Sequence, residues 1–232
     1  MDSLNRKARI AGLLYLLLVI PGPFSLIYIP SVLIVRGNAT ATASNVLSHE
    51  TLSRLWIVSD LAGAVFFILL VMALYRLLSG VNKAHASLMV ALVLVSAAVS
   101  LVNVVSNVAA LALFRGGEFL AVLDKPQRDA LAMLFLRVHG EGNIINETFW
   151  GLWLVPFGIL VFRSGFLPRI LGVWLIVNGF AYVALSFTGL LLPDHYSVAF
   201  RIAQPLLLGE LAILLWLLIK GAKAPPLAAA AA

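Results

Sequence analysis

The sequence predicts an all-α fold: a polytopic transmembrane bundle of six helices, with both termini cytoplasmic and a short external surface helix between helices 1 and 2. Three observations carry this. The chain of 232 residues is 62% hydrophobic and 11% charged, where soluble domains hold about 25% charged residues. Its apolar blocks reach or exceed the roughly 20 residues that cross a bilayer. Its Lys and Arg collect at alternate block ends, the pattern of an oriented membrane protein. Together these exclude an ordinary soluble enzyme, a disordered chain, a collagen and a coiled coil. An outer-membrane barrel is excluded as well, because its strands alternate instead of running apolar.

The first block, about Ile10 to Ile29, follows the basic start Arg6-Lys7-Ala8-Arg9. It exceeds the about 7–15 apolar residues of a signal peptide and reads as a retained helix. Pro21-Gly22-Pro23 should kink or break it, since each proline removes a backbone donor and clashes one turn back. The second block runs from about Leu55 to Leu78, the third from Leu88 to Phe114 and the fourth from Leu131 to Phe162. At ~1.5 Å per residue the fourth is about 48 Å long, beyond the ~30 Å hydrocarbon core, so its start near Arg137 and His139 should protrude or tilt. The fifth runs from about Ile170 to Leu192 and the sixth from Val198 to Ile219. Residues 1–221 form one six-helix transmembrane domain in this reading. The tail 222–232, with Pro225-Pro226 and alanines, reads as disordered.

The connections differ by side. Ser79 to His85 and Arg163 to Arg169 are short; Gly37 to Arg54 and Arg115 to Asp129 are longer. Gly37 to Arg54 contains Ala-Thr-Ala-Thr-Ala-Ser, read as the surface helix, and Asn38-Ala39-Thr40 has the form of a glycosylation sequon. With the N-terminus inside, Arg6, Lys7, Arg9, Arg76, Lys83, Arg163, Arg169, Lys220 and Lys223 face a single acid, Asp2, a balance of +8. The remaining side carries 7 basic residues and 9 acids, −2, within the formal net charge of +6. Lys and Arg near helix ends orient a membrane protein, so the +8 side is cytoplasmic. The net charge is explained by this placement along the chain, the basic side also suits anionic lipid headgroups, and no nucleic-acid partner is expected. A multi-pass protein of the cytoplasmic (inner) membrane follows, with the lipid bilayer as its first partner.

Polar residues inside apolar spans carry the functional information, because they are costly there. On the third block Ser96, Ser100, Asn103 and Asn107 share one helical face, and on the fourth His139, Asn143, Asn146, Trp150 and Trp153 do the same, with Glu147 beside them. Such stripes should face each other or a wet cavity. Asp60 and Glu147 each lie 16 residues from a cytoplasmic Arg, and Asn103 lies 18 beyond His85, which at ~1.5 Å per residue is about 24–27 Å. His139 is expected above them at the outer surface, with Asn178 and Glu210 as a floor nearer the midplane. The expected ligand pocket is therefore Asp60, Asn103, Asn107, His139, Asn143, Glu147, Asn178 and Glu210, open to the outside. The packing alternative for Asp60 is an interfacial pair with Arg54; for Glu210 it is a bond to a backbone carbonyl or to Asn178.

No cofactor is expected. The chain has no cysteine, no His-x-x-x-His or His-Glu-x-x-His spacing, no Gly-x-Ser-x-Gly elbow and no phosphate loop. A metal site is not expected from His49, His139 and His195, which lie on different segments. No catalytic residue is assigned.

Four segments carry a family resemblance: Ala8-Arg9-Ile10-Ala11-Gly12-Leu13-Leu14-Tyr15-Leu16, Phe149-Trp150-Gly151-Leu152-Trp153-Leu154, Ser164-Gly165-Phe166-Leu167-Pro168-Arg169 and Gly209-Glu210-Leu211. The chain resembles the bacterial and archaeal membrane family catalogued as domain of unknown function 4386, from near the N-terminus to about Lys220. The resemblance implies a prokaryotic cytoplasmic membrane protein and brings no activity. It also implies His and Glu at His139 and Glu210, with Glu141 and Glu147 as departures. Read physically, Gly151, Gly158, Gly172 and Gly179 allow close helix approach, and Ser164-Gly165 with Pro168 makes a tight turn.

Three functions compete. The first is binding or transport of a small polar or cationic ligand, for which six helices would need a second copy, a homo-oligomer. The second is a non-catalytic membrane partner or assembly protein, in which the polar groups are packing seams. The third is a membrane-embedded hydrolase acting on lipid.

Overall fold

The computed structural model describes residues 3–222. Of the tail expected to be disordered, all but Ala222 lies outside the described residues. Six helices are long and apolar enough to cross a membrane: Ser3–Leu33, Glu50–Leu78, Lys83–Arg115, Lys125–Arg163, Arg169–Leu191 and Pro193–Lys220, here the first to sixth spans. Large apolar side chains stand open on their surfaces, among them Val102 at 72%, Phe180 at 64% and Ile202 at 71% exposure. In water such surfaces would drive aggregation; against lipid tails they are ordinary. The chain is an integral membrane protein.

The span ends follow from local chemistry. The α-helix is interrupted at Ile20, Pro21–Pro23 form a short further piece of α-helix, and Phe24–Tyr28 form one wider π-type turn before the α-helix resumes over Ile29–Leu33. Two prolines without N–H groups interrupt the ladder, and the backbone absorbs this by a change of helical register instead of ending. The short helix Ala39–Ser48 is capped by Asn38, whose Oδ1 accepts from the Ala41 N–H at 2.9 Å. The asparagine of the sequon is thus a helix cap. Only His49 separates this helix from Glu50, so the second span starts a turn earlier than the apolar pattern indicates.

The fourth span also starts early. Asp124 Oδ1 accepts from Gln127 N–H at 2.8 Å while Gln127 Oε1 accepts from Asp124 N–H at 3.0 Å. This reciprocal cap starts the helix at Lys125 in polar sequence, where hydropathy is blind. Between the fourth and fifth spans, Gly165 takes φ +72°, which favours glycine, and Ser164 Oγ accepts from the Leu167 N–H at 3.1 Å.

The chain packs as two compact units. The first gathers the described parts of Met1–Leu16, Phe66–Ser96 and Ile145–Ala232. In it, Ala8, Ala11, Gly12 and Tyr15 form one buried stripe, the i, i+3, i+4, i+7 pattern of a core-facing helix. A Cβ on Gly12 would stand 2.6 Å from the backbone N of Leu218, so only glycine permits this contact. The fourth and fifth spans meet through glycines: a Cβ on Gly151 would lie 2.3 Å from the Gly179 carbonyl, and one on Gly158 2.6 Å from the Gly172 carbonyl. These are the four glycines singled out in the sequence. Trp153 and Phe157 stack beneath this contact at 5.3 Å. The second unit comprises Leu17–Val65 and Ala97–Ile144. Its core joins Ile29, Leu33, Ala43, Val46, Trp56, Ala110, Phe114 and Leu136.

Gly158→Ala should lower the stability of the detergent-solubilised protein by about 1–3 kcal/mol, the range for forced overpacking. Gly140→Ala, on the same helix where a Cβ meets nothing within 4 Å, should leave it unchanged or raise it. Thermal denaturation of the two variants checks this, and equal midpoints would show that the glycine contact is not tight.

Candidate functional site

The second unit contains a polar cluster built on three spans. Residues one helical turn apart, Asn103 and Asn107 on the third span and His139 and Asn143 on the fourth, project from matching faces. Asp60 comes from the second span. His139 Nε2 lies 3.0 Å from Asp60 Oδ2, and Asn107 Nδ2 donates to the same oxygen at 3.2 Å. The Asp60 and His139 side chains are 13% and 4% exposed. Asn103 Nδ2 donates to the His139 carbonyl at 2.9 Å and to Asn143 Oδ1 at 3.1 Å. A Cβ on Gly142 would sit 2.3 Å from Asn103 Oδ1, so the glycine makes room for the amide. Trp56 stands edge-on to the imidazole, with ring centroids 5.2 Å apart and planes at 82°.

Two polar atoms of this cluster are buried with no hydrogen-bond partner among the described residues: Asn107 Oδ1 and Trp56 Nε1. One is an acceptor and the other a donor. Burying either without a partner costs about 1–3 kcal/mol. A small molecule offering both a donor and an acceptor would satisfy them.

Five of the eight residues expected around one pocket, Asp60, Asn103, Asn107, His139 and Asn143, are linked here by hydrogen bonds. Glu147, Asn178 and Glu210 belong to the first unit, each with partners of its own. The Tyr196 hydroxyl donates to Glu147 Oε1 at 2.5 Å and the Tyr15 hydroxyl to Glu210 Oε1 at 2.6 Å. Tyr182 also reaches the Glu210 carboxylate. Asn178 Nδ2 donates to the Leu207 carbonyl at 3.2 Å. Lower on the facing stripes, Ser96 Oγ donates to Asn146 Oδ1 at 2.8 Å.

The packing alternatives resolve differently from their sequence form. Arg54 pairs with Glu50 at 2.6 Å, one turn away, and leaves Asp60 to His139. Glu210 takes tyrosine hydroxyls in place of Asn178. His139, expected at the outer surface above the other pocket residues, is buried against Asp60 and Trp56. Sequence reasoning passed over Tyr15, Tyr182, Tyr196 and Trp56. The available signal was a hydroxyl or indole N–H inside an apolar block, since such tips seek partners when buried. Among the described residues no three of His, Asp and Glu gather in one place. The Asp60–His139 pair is completed by amides instead.

Breaking the pair should show coupling. In a double-mutant cycle of Asp60→Asn and His139→Gln, we expect about 1–2 kcal/mol of interaction, above the average of about 0.6 kcal/mol for hydrogen bonds between membrane helices. Additive denaturation energies would show that the two side chains do not stabilise one another.

Comparison with curated proteins and with solved structures yields no match for this chain. A family model does match, over residues 10–221, and this interval holds both polar clusters and all six spans but for the first residues of the first. The resemblance carried by the tryptophan, glycine and Leu-Pro-Arg segments thus holds over nearly the whole chain, which belongs to the family described as Domain of unknown function (DUF4386).

Proposed function

We propose that this protein binds, and passes across the prokaryotic cytoplasmic membrane, a small amine that also carries a hydroxyl or carbonyl. The single observation behind this reading is the Asp60–Asn107–His139 cluster: a carboxylate within a span, its side chain only 13% exposed, with no Lys or Arg paired to it among the described residues, bordered by an unpartnered acceptor and an unpartnered donor. A cationic amine would meet Asp60 and Asn107 Oδ1, and its oxygen would accept from Trp56 Nε1. A buried acid near the level of the apolar core is expensive unless it serves such a purpose.

In this reading both termini are cytoplasmic. The basic ends at Arg76, Lys83, Arg163, Arg169 and Lys220 face inward, and the helix Ala39–Ser48 lies outside. Asp60 and His139 are then on the outer half of their spans, so the site opens outward. Transport by six helices favours a homo-oligomer.

Orientation is tested in intact cells. The chain has no cysteine, so Thr40→Cys and Gly80→Cys each introduce a single thiol. A membrane-impermeant maleimide should label the first and not the second; the reverse pattern overturns the orientation and the outward-facing site with it.

Binding is tested on purified protein in constant sodium chloride with ethanolamine, glycinamide and glycine as probes. At least one should raise the denaturation midpoint of the wild type and fail to do so for Asp60→Asn. Asp60→Asn keeps the shape and an Asn107 contact while removing the charge. If none of the three shifts the wild type, the cluster is a packing seam and the assembly-protein reading takes its place.

A further inference from the structure

The first unit has a second polar cluster whose chemistry differs. Its members come from four spans: Tyr15 on the first, Glu147 on the fourth, Asn178 and Tyr182 on the fifth, and Tyr196 and Glu210 on the sixth. Asn178 and Tyr182 are one turn apart and share a face of their helix. Asn178 meets the Leu207 carbonyl and Tyr182 reaches Glu210, three residues further along the sixth span. Tyr182 also lies within electrostatic reach of Glu147 and Tyr196. Tyr182 is hydrogen-bonded to one carboxylate, Glu210, and near enough to the other to feel its charge.

The hydrogen-bonding capacity of the cluster is unbalanced. Its acceptors are the four carboxylate oxygens and the Asn178 carbonyl; its donors are three tyrosine hydroxyls and the Asn178 NH₂, which is spent on Leu207. Glu147 Oε2 and Asn178 Oδ1 are left buried without a partner. Glu147 is 6% exposed and Asn178 0%. Both orphans are acceptors. The ion pairs among the described residues use Glu50, Asp60, Asp129 and Glu141, and none includes Glu147 or Glu210.

A buried excess of acceptors with negative charge is satisfied by a cation. Ca²⁺ takes six to eight oxygen ligands and Mg²⁺ keeps several of its waters, and a site walled by Glu147 and Asn178 at 6% and 0% exposure has little room for that water. Aromatic rings border the site: Trp150 meets Tyr182 edge-on at 6.1 Å, and Trp153 lies 6.2 Å from Tyr15.

We propose that Glu147, Asn178, Tyr182 and Glu210, supported by Tyr15 and Tyr196, form a binding site for a small monovalent cation, an alkali ion or ammonium. This stands apart from the Asp60–His139 reading, since a different set of residues and a one-sided excess of acceptors carry it. In a transporter such a site would hold a coupling ion.

The test uses the full chain, purified and melted in sodium, potassium, ammonium or bulky tetraethylammonium chloride at equal ionic strength and pH, with no amine probe present. One of the three small cations should raise the midpoint in a saturable way relative to tetraethylammonium. Glu147→Gln should abolish that response. Tyr196→Phe, a milder change that keeps both carboxylates, should weaken the apparent affinity roughly ten-fold, and it decides the matter if Glu147→Gln does not fold. Equal midpoints in all four salts overturn the proposal. So does a saturable shift that survives Tyr196→Phe unchanged, or a midpoint that follows pH alone, in which case a carboxyl proton takes the cation's place. Because the amine screen reads Asp60 and the salt series reads Glu147, either site can fail without the other.

Discussion

Lipid tails offer no hydrogen bonds, and that one deficiency shapes the polar content of this protein. Asp60, Glu147 and Glu210 each find their donors on a neighbouring helix. Asp60 draws on His139 and Asn107, Glu147 on Tyr196, and Glu210 on Tyr15 and Tyr182. These bonds join distant parts of the chain: 195 residues separate Tyr15 from Glu210 and 79 separate Asp60 from His139. In water the same side chains could be solvated wherever they fell. Here they select which helices pair and in which rotation.

Hydrogen bonds alone do not hold helices at this distance, because lipid removes the ordinary hydrophobic drive between apolar faces. Close backbone approach supplies what is missing. Gly12 admits the sixth span, and the Gly151–Gly179 and Gly158–Gly172 contacts bring the fourth and fifth spans nearly backbone to backbone. Dispersion attraction then acts over the whole length of the contact. Thr148 and Ser186, hydrogen-bonded at 2.7 Å one turn beyond the glycine pair, are within reach because the helices are already so near.

The features legible in the sequence are those set by a single helix or by short range. Six apolar runs gave the spans, the spacing of Asn103, Asn107, His139 and Asn143 gave their common faces, and the Gly-rich and Ser164-Gly165 segments gave the close contacts and the turn. Partner choice was illegible for physical reasons. Asp60 lies six residues from Arg54, but one turn of helix puts Arg54 on Glu50, and the imidazole across the bundle is nearer. Tyrosines look apolar in a hydropathy count, and their hydroxyls matter only once a carboxylate faces them. The helix start at Lys125 escaped because a reciprocal cap, not hydropathy, sets it.

The two clusters invite one comparison. Among the described residues neither cluster pairs its acids with Lys or Arg, so acidity by itself does not distinguish their roles. What differs is the residue of unmet hydrogen bonding. Beside Asp60 it is mixed, an amide oxygen and an indole N–H; beside Glu147 and Asn178 it is acceptor alone. A molecule with both polarities would complement the first, and a bare positive charge would complement the second. Secondary transporters pair these two needs, a substrate and the ion whose gradient moves it. The unmatched atoms therefore say more about this protein's chemistry than its matched ones, since each hydrogen bond already made is equally well explained by packing.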